Sequence, residues 1–204
     1  MSVRVYGVIM HDGQGPPKLP AGVQLHEVRE LAAVTEPGEY SAHAVETIDV
    51  ERHLHVVDML FGQDAILPTP VGTVFRSSEI LERWMELHYV ALSDALAWVE
   101  DRAAARVHMT RGTSNGADHE DVEDLTAIAS EVTRALRRRA VASVPLRVPV
   151  DDGTVSSTGY LVESEFWHEF ADAAAEERER HPVLGIALTG PWPPYDFVRL
   201  QFGA

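Results

Sequence analysis

Ten histidines and thirty-two carboxylates are the residues that could do acid–base or metal chemistry, and their spacing decides whether they cluster. His53 and His55 stand two apart on an expected helix, so they point to different faces. No H-E-x-x-H pattern is present. His119 is flanked by Asp118 and Glu120 at an expected helix start, where acids suit the positive end of the helix dipole without any metal. The chain has no cysteine, which removes disulfides, thiol nucleophiles and thiolate zinc sites. The loop Gly112–Gly116, GTSNG, lacks the following Lys-Ser/Thr of a phosphate-binding loop. Gly13-Gln14-Gly15 runs into Pro16 and Pro17, which spoils a dinucleotide fingerprint. No G-x-S-x-G elbow occurs. The residues therefore assign no catalytic, cofactor-binding or metal-binding position. The expectation is a protein that is not an enzyme, unless acids and histidines meet in a cleft with perturbed pKa values.

Charge narrows the field further. Seventeen Lys and Arg against thirty-two acids leave a formal net charge of −15. A nucleic-acid binder needs a basic face. The one basic cluster is Arg134, Arg137, Arg138 and Arg139, at the end of an expected helix whose start is acidic, an arrangement the helix dipole explains. The acidic balance favours solubility and a partner carrying basic residues. No apolar run reaches the roughly 18 residues of a membrane span. The opening MSVRVYGVIM alternates like a strand and lacks the charged-then-apolar order of a signal peptide. A cytoplasmic location is the expectation.

The remaining signals are elements and their order. With 45% hydrophobic residues in 204, one large domain or two small ones can form. Ser2–Ile9 is predicted as a strand, His11–Pro20 as a Pro/Gly loop, and Val23–Thr35 as one or two strands closed by Pro37 and Gly38. Ile48–Phe61 is predicted as a helix stopped by Gly62. Ala65–Phe75, with Pro68 and Pro70, is predicted as extended chain at an edge or bulge. Ser77–Asp101 is predicted as one helix of ~37 Å, capped by Ser77 or Ser78. Leu81, Met85, His88, Leu92, Ala95 and Val99 form one apolar stripe on it. Ile80, Trp84, Leu87, Ala91 and Trp98 form a second, so its apolar face is wide. That width is expected to pack on its own sheet and on a neighbouring domain, or else to await a partner.

Beyond residue 102 the order is sharper. Arg106–Arg111 is a strand, Gly112–Ala117 a loop, and Glu120–Ala140 a helix presenting Val122, Leu125, Ala129, Val132 and Leu136. Val144–Val150 is a strand, Asp151–Gly153 a hairpin turn, and Ser156–Glu163 the returning strand. Glu165–Arg180 is a helix using Phe166, Phe170, Ala173 and Ala174, and Val183–Thr189 is the last strand. This βαββαβ order is ferredoxin-like. Its second and fourth strands are edges, which suits Pro145 and Pro149 in the second. The expected class is α+β in two domains: residues 1–102, ending in the long helix, and residues 103–204, ferredoxin-like with a C-terminal aromatic/proline segment.

That segment, Thr189–Val198, reads TGPWPPYDFV. Pro191 is expected to end the last strand. Pro193 and Pro194 stiffen the chain, which gives Trp192, Tyr195 and Phe197 fixed directions. The rings either pack back on the domain or present a rigid aromatic surface. Gly190 to Tyr195, GPWPPY, followed by an apolar pair resembles the ending of the gas vesicle GvpL/GvpF family. Val5-Tyr6-Gly7-Val8, Leu31-Ala32-Ala33-Val34, His53, Leu67-Pro68, Gly72-Thr73-Val74-Phe75 and Tyr160-Leu161-Val162 resemble further family segments in the family's order. The chain departs from the family pattern at Pro70-Val71, Ser157-Thr158-Gly159 and Ala103-Ala104-Ala105.

The resemblance implies a two-domain α+β protein with a ferredoxin-like second domain, and a non-enzymatic accessory or minor structural role in gas vesicle assembly. It implies gas vesicle association inside the cell, in service of buoyancy, with the small hydrophobic shell protein and other gas vesicle accessory proteins as partners. It carries over no catalytic, cofactor or metal residue. The expected shell-protein surface combines Gly72, Thr73, Phe75, Trp84, Trp98, Pro191, Trp192, Pro193, Pro194, Tyr195 and Phe197. The alternative reading is a ferredoxin-like small-molecule sensor or regulatory protein.

Overall fold

The structure, a computed structural model, describes residues 1–11, 15, 17–39, 46–112, 122–147 and 153–198. The expectations for His119 and its acidic neighbours, most of the Gly112–Ala117 loop, Val148–Val150, Asp151 and Asp152, and part of the His11–Pro20 loop lie outside the described residues. The chain divides into two compact units, Met1–Glu100 with Pro193–Ala204, and Asp101–Trp192. The whole TGPWPPYDFV segment is expected with the second domain. This division instead parts it after Trp192, and Pro193 onward belongs with the N-terminal half.

The first unit is built on an antiparallel sheet. β1 (Val3–Met10) is central, and β2 (Gln24–Val28), β3 (Leu31–Pro37), β4 (Ile66–Pro68) and β5 (Val74–Phe75) join it in the order β2-β3-β1-β4, with β5 also on β1. Arg29 and Glu30 make the tight turn between β2 and β3, with Arg29 at φ 56. Helix α1 (Thr47–Phe61) covers one face and α2 (Ser78–Leu87) with α3 (Tyr89–Val99) the other. β1 does not alternate, because both of its faces are covered. Val3, Val5 and Val8 enter the α2/α3 core, while Tyr6 and Ile9 enter the α1 core. A bulge between Val5 and Gly7 shifts the pairing by one, which flips the faces that follow.

The long predicted helix is two helices. At His88 the backbone leaves the helical region, at φ −107 and ψ 11. The His88 Nδ1–H donates to the Trp84 carbonyl at 2.7 Å, and its ring stacks on the Trp84 indole at 4.8 Å. The same carbonyl also accepts the His88 N–H at 3.1 Å, so the side chain adds a second bond where the backbone turns. No Pro or Gly marks the site, so the sequence hides it.

The second unit matches the predicted order. β6 (Arg102–Arg111), α4 (Val122–Arg137), β7 (Ala142–Pro145), β8 (Thr154–Glu163), α5 (Trp167–Arg180) and β9 (Leu184–Trp192) follow one another, with one tighter turn over Ser164–Phe166. The sheet order is β7-β8-β6-β9, antiparallel throughout. That is the ferredoxin-like arrangement, and Pro145 lies on the edge strand β7. Leu125, Ala129, Val132 and Leu136 of α4 and Phe170, Ala173 and Ala174 of α5 pack on Ala105, Val107, Met109, Tyr160 and Val162.

Pro191 does not end the last strand. β9 continues to Trp192, which pairs with Ala104 across a bulge between Ala104 and Arg106. The bulge leaves a position where the missing proline N–H is not needed. Gly190 makes this possible: it sits at φ +131, and a Cβ there would meet the Trp167 ring at 2.7 Å and the Ala104 carbonyl oxygen at 2.8 Å.

Candidate functional site

The eleven residues singled out from the sequence fall into four places. Gly72, at φ +84, and Thr73 form the turn into β5. The Thr73 hydroxyl donates to the Pro70 carbonyl at 2.7 Å, and the Thr73 carbonyl accepts from the Val5 N–H at 2.9 Å. β5 then places the Phe75 ring 5.8 Å from Trp84, whose indole is nearly buried at the α2 face. This first group is a packed turn-and-aromatic corner. Trp98 is elsewhere, on α3, and is 44% exposed.

The third group is the return of the chain to the first unit. Pro193 and Pro194 are buried there, and Phe197 is partly buried. The Tyr195 N–H donates to the Pro193 carbonyl and the Phe197 N–H to the Pro194 carbonyl, which makes two tight turns. The Tyr195 ring lies 6.4 Å from His53 and packs on the α1 core, while Val198 packs on the α2/α3 core. The fourth group is Pro191 and Trp192 at the end of β9. Trp192 is 40% exposed, and its Nε1–H donates to the Thr189 hydroxyl at 3.2 Å. The PPYDFV half of the motif is thus closure of the first unit, and the exposed aromatic edge is Trp192.

His53 has a setting that no local signal foretells. It is fully buried on α1, between Tyr6 at 5.4 Å and Tyr195 at 6.4 Å. Neither ring nitrogen has a hydrogen-bond partner at normal geometry. Burial pushes its pKa down to about 4, with Arg4 adding to the effect and the Thr69 backbone opposing it. Burial, reinforced by the Glu36 carboxylate, pushes the Tyr6 phenol up to about 12. Both groups are therefore neutral at pH 7. Around them Arg4 pairs with Asp49 at 2.8 Å and Glu36 at 3.5 Å, and Arg52 with Glu36 at 3.2 Å. These pairs tie the start of α1 to the sheet.

One further pair arises from register alone. β6 and β8 set His108 opposite Ser157, and the Ser157 hydroxyl is 2.9 Å from His108 Nδ1. That is nucleophile–base distance. Ser157 is only 4% exposed, so the hydroxyl has little access to a substrate, and the pair is a cross-strand hydrogen bond. Among the described residues no group of three or more His, Asp or Glu is arranged to hold a metal ion. Among the same residues no helix is long and apolar enough to cross a membrane.

The fold defines a class: a two-unit α+β protein whose second unit is ferredoxin-like. The model of the family described as gas vesicle synthesis protein GvpL/GvpF matches residues 3–121 and 117–199, and the chain belongs to that family. Similar relatives are gas vesicle protein F2 of Halobacterium salinarum, 28% identical over 86% of this chain and 80% of that protein, and gas vesicle protein F of Haloferax mediterranei, 26% identical over 87% and 82%. The fold is similar to the crystal structure of GvpF from an Anabaena species, with a TM-score of 0.79 at 12% identity over 100% of this chain and 98% of that one. It is likewise similar to GvpF from Microcystis aeruginosa, with a TM-score of 0.76 at 15% identity over 98% and 99%.

Proposed function

We propose that this chain is a gas vesicle accessory or minor structural protein that binds the small hydrophobic shell protein and assists nucleation or assembly of the vesicle. Family membership supports the gas vesicle role. The exposed aromatic residues support the binding role. Trp98 and Trp192 keep 44% and 40% of their surface in water, and aromatic side chains are favoured anchors in interfaces. The proposed setting is the cell interior, in association with gas vesicles and other gas vesicle accessory proteins.

The test is co-purification of the shell protein with the native chain and with Trp98→Ala and Trp192→Ala. Both tryptophans are half-exposed, so the variants should fold, and circular dichroism checks this. Loss of capture with an intact fold is the expected result. Absence of capture by the native chain removes the binding role. Undiminished capture by the folded double variant removes these two residues from the surface. Tyr195→Ala serves a different purpose, since that ring packs on the α1 core.

A further inference from the structure

The second apolar stripe of the sequence splits in the structure. Trp84 turns inward, while Ile80 is 50% exposed, Leu87 75% and Trp98 44%; Val90, beside the stripe, is 71% exposed. Ala91 and Ala97 are exposed as well. The inner face of α3 is already satisfied by Leu92, Leu96 and Val99, all buried. Its outer face is nonetheless apolar except for Asp94. Scattered exposed apolar residues need no explanation. Four large ones lie on two consecutive helices, Ile80 and Leu87 on α2 and Val90 and Trp98 on α3, and exposed apolar residues gathered in one region are a feature of interaction sites.

The surrounding charge says what fits. Glu79, Glu86, Asp94 and Glu100 lie exposed along these helices and Glu82 stands beside His26 at 3.5 Å, against Arg83 within Ser78–Asp101 and Arg29 over the Tyr89 ring at 4.6 Å. The whole chain carries −15. A second copy would set acid against acid, and an anionic lipid surface would do the same. A helix whose apolar residues recur every three or four positions, flanked by Lys and Arg, meets both the apolar row and its acidic surroundings. Val90 to Trp98 spans about 12 Å of helix, so about two turns of such a partner would cover α3.

We propose that the outward face of α2 and α3, centred on Leu87 and Val90, is a docking surface for an amphipathic, basic-flanked helix of a partner protein. This deepens the binding role proposed above by naming a surface and the chemistry of what it takes. The probe is a synthetic Leu/Lys peptide of about 18 residues, five helical turns, with leucines at helical spacing. A Leu/Glu peptide of the same pattern is the control. Fluorescence anisotropy reads binding to the native chain, to Leu87→Ser/Val90→Ser and to Glu86→Lys/Asp94→Lys.

The expected result is binding of the Leu/Lys peptide that weakens with salt and drops about tenfold or more in Leu87→Ser/Val90→Ser, a loss of at least about 1.4 kcal/mol. Charge reversal should weaken the Leu/Lys peptide and strengthen the Leu/Glu one. Equal affinity of native and Leu87→Ser/Val90→Ser chains overturns the surface. Equal binding of both peptides overturns the charge rule. Self-association that Leu87→Ser/Val90→Ser abolishes overturns the choice of occupant. Shell-protein capture by the native chain reports on the proposed function, and the variants' peptide affinities report on this face, so each fails without the other.

Discussion

Acidification is expected to destabilise the first unit through His53. An unperturbed histidine titrates at 6.5, whereas His53 in the fold titrates at about 4. Between those values the unfolded chain holds a proton that the folded chain refuses, so stability rises with pH across this window. The contribution is complete above 6.5 and is lost as pH falls through the window to about 4. The gap of 6.5 − 4, or 2.5 units, corresponds to about 3 kcal/mol. That is a large part of a small domain's margin of about 5–15 kcal/mol. Many carboxylates also titrate at the acid end, so the comparison is with His53→Phe, which does not titrate there and suits the aromatic pocket between Tyr6 and Tyr195. Urea unfolding of both proteins from neutral pH to about pH 4 measures the difference. Hydrogen exchange at the buried α1 residues Val56, Val57 and Leu60 locates it in this unit. The stability of the native chain relative to His53→Phe should fall by about 3 kcal/mol on acidification. Parallel pH profiles for the two proteins would refute the reasoning.

Two other substitutions test local features. Gly190→Ala forces a side chain onto a backbone at φ +131 and into the Trp167 ring; thermal unfolding should show a loss of about 1–3 kcal/mol, and an unchanged melting temperature would mean that the β9 bulge can rearrange. Ser77→Ala removes the hydroxyl that accepts from the Ile80 N–H at the start of α2, and urea unfolding should register about 1 kcal/mol.

The sequence by itself determined the elements of the second unit and their order. Turn residues, helical periodicity and edge prolines are local signals, and βαββαβ leaves few ways to build a sheet. The same periodicity marked two apolar stripes on Ser77–Asp101, and the aromatic/proline ending marked the family. Tertiary structure alone decided how those features are used. The break at His88, where the side chain also bonds back to the Trp84 carbonyl, is announced by no Pro or Gly. Both faces of β1 are buried because helices cover both, a matter of layering rather than of period. Ser157 meets His108, 49 positions away, through cross-strand register alone. The TGPWPPYDFV segment divides its labour only when folded: Trp192 stays half in water on β9, while Tyr195 returns to pack near His53. Local chemistry specifies stiffness and aromatic character there; which ring is buried depends on what the distant chain brings alongside it.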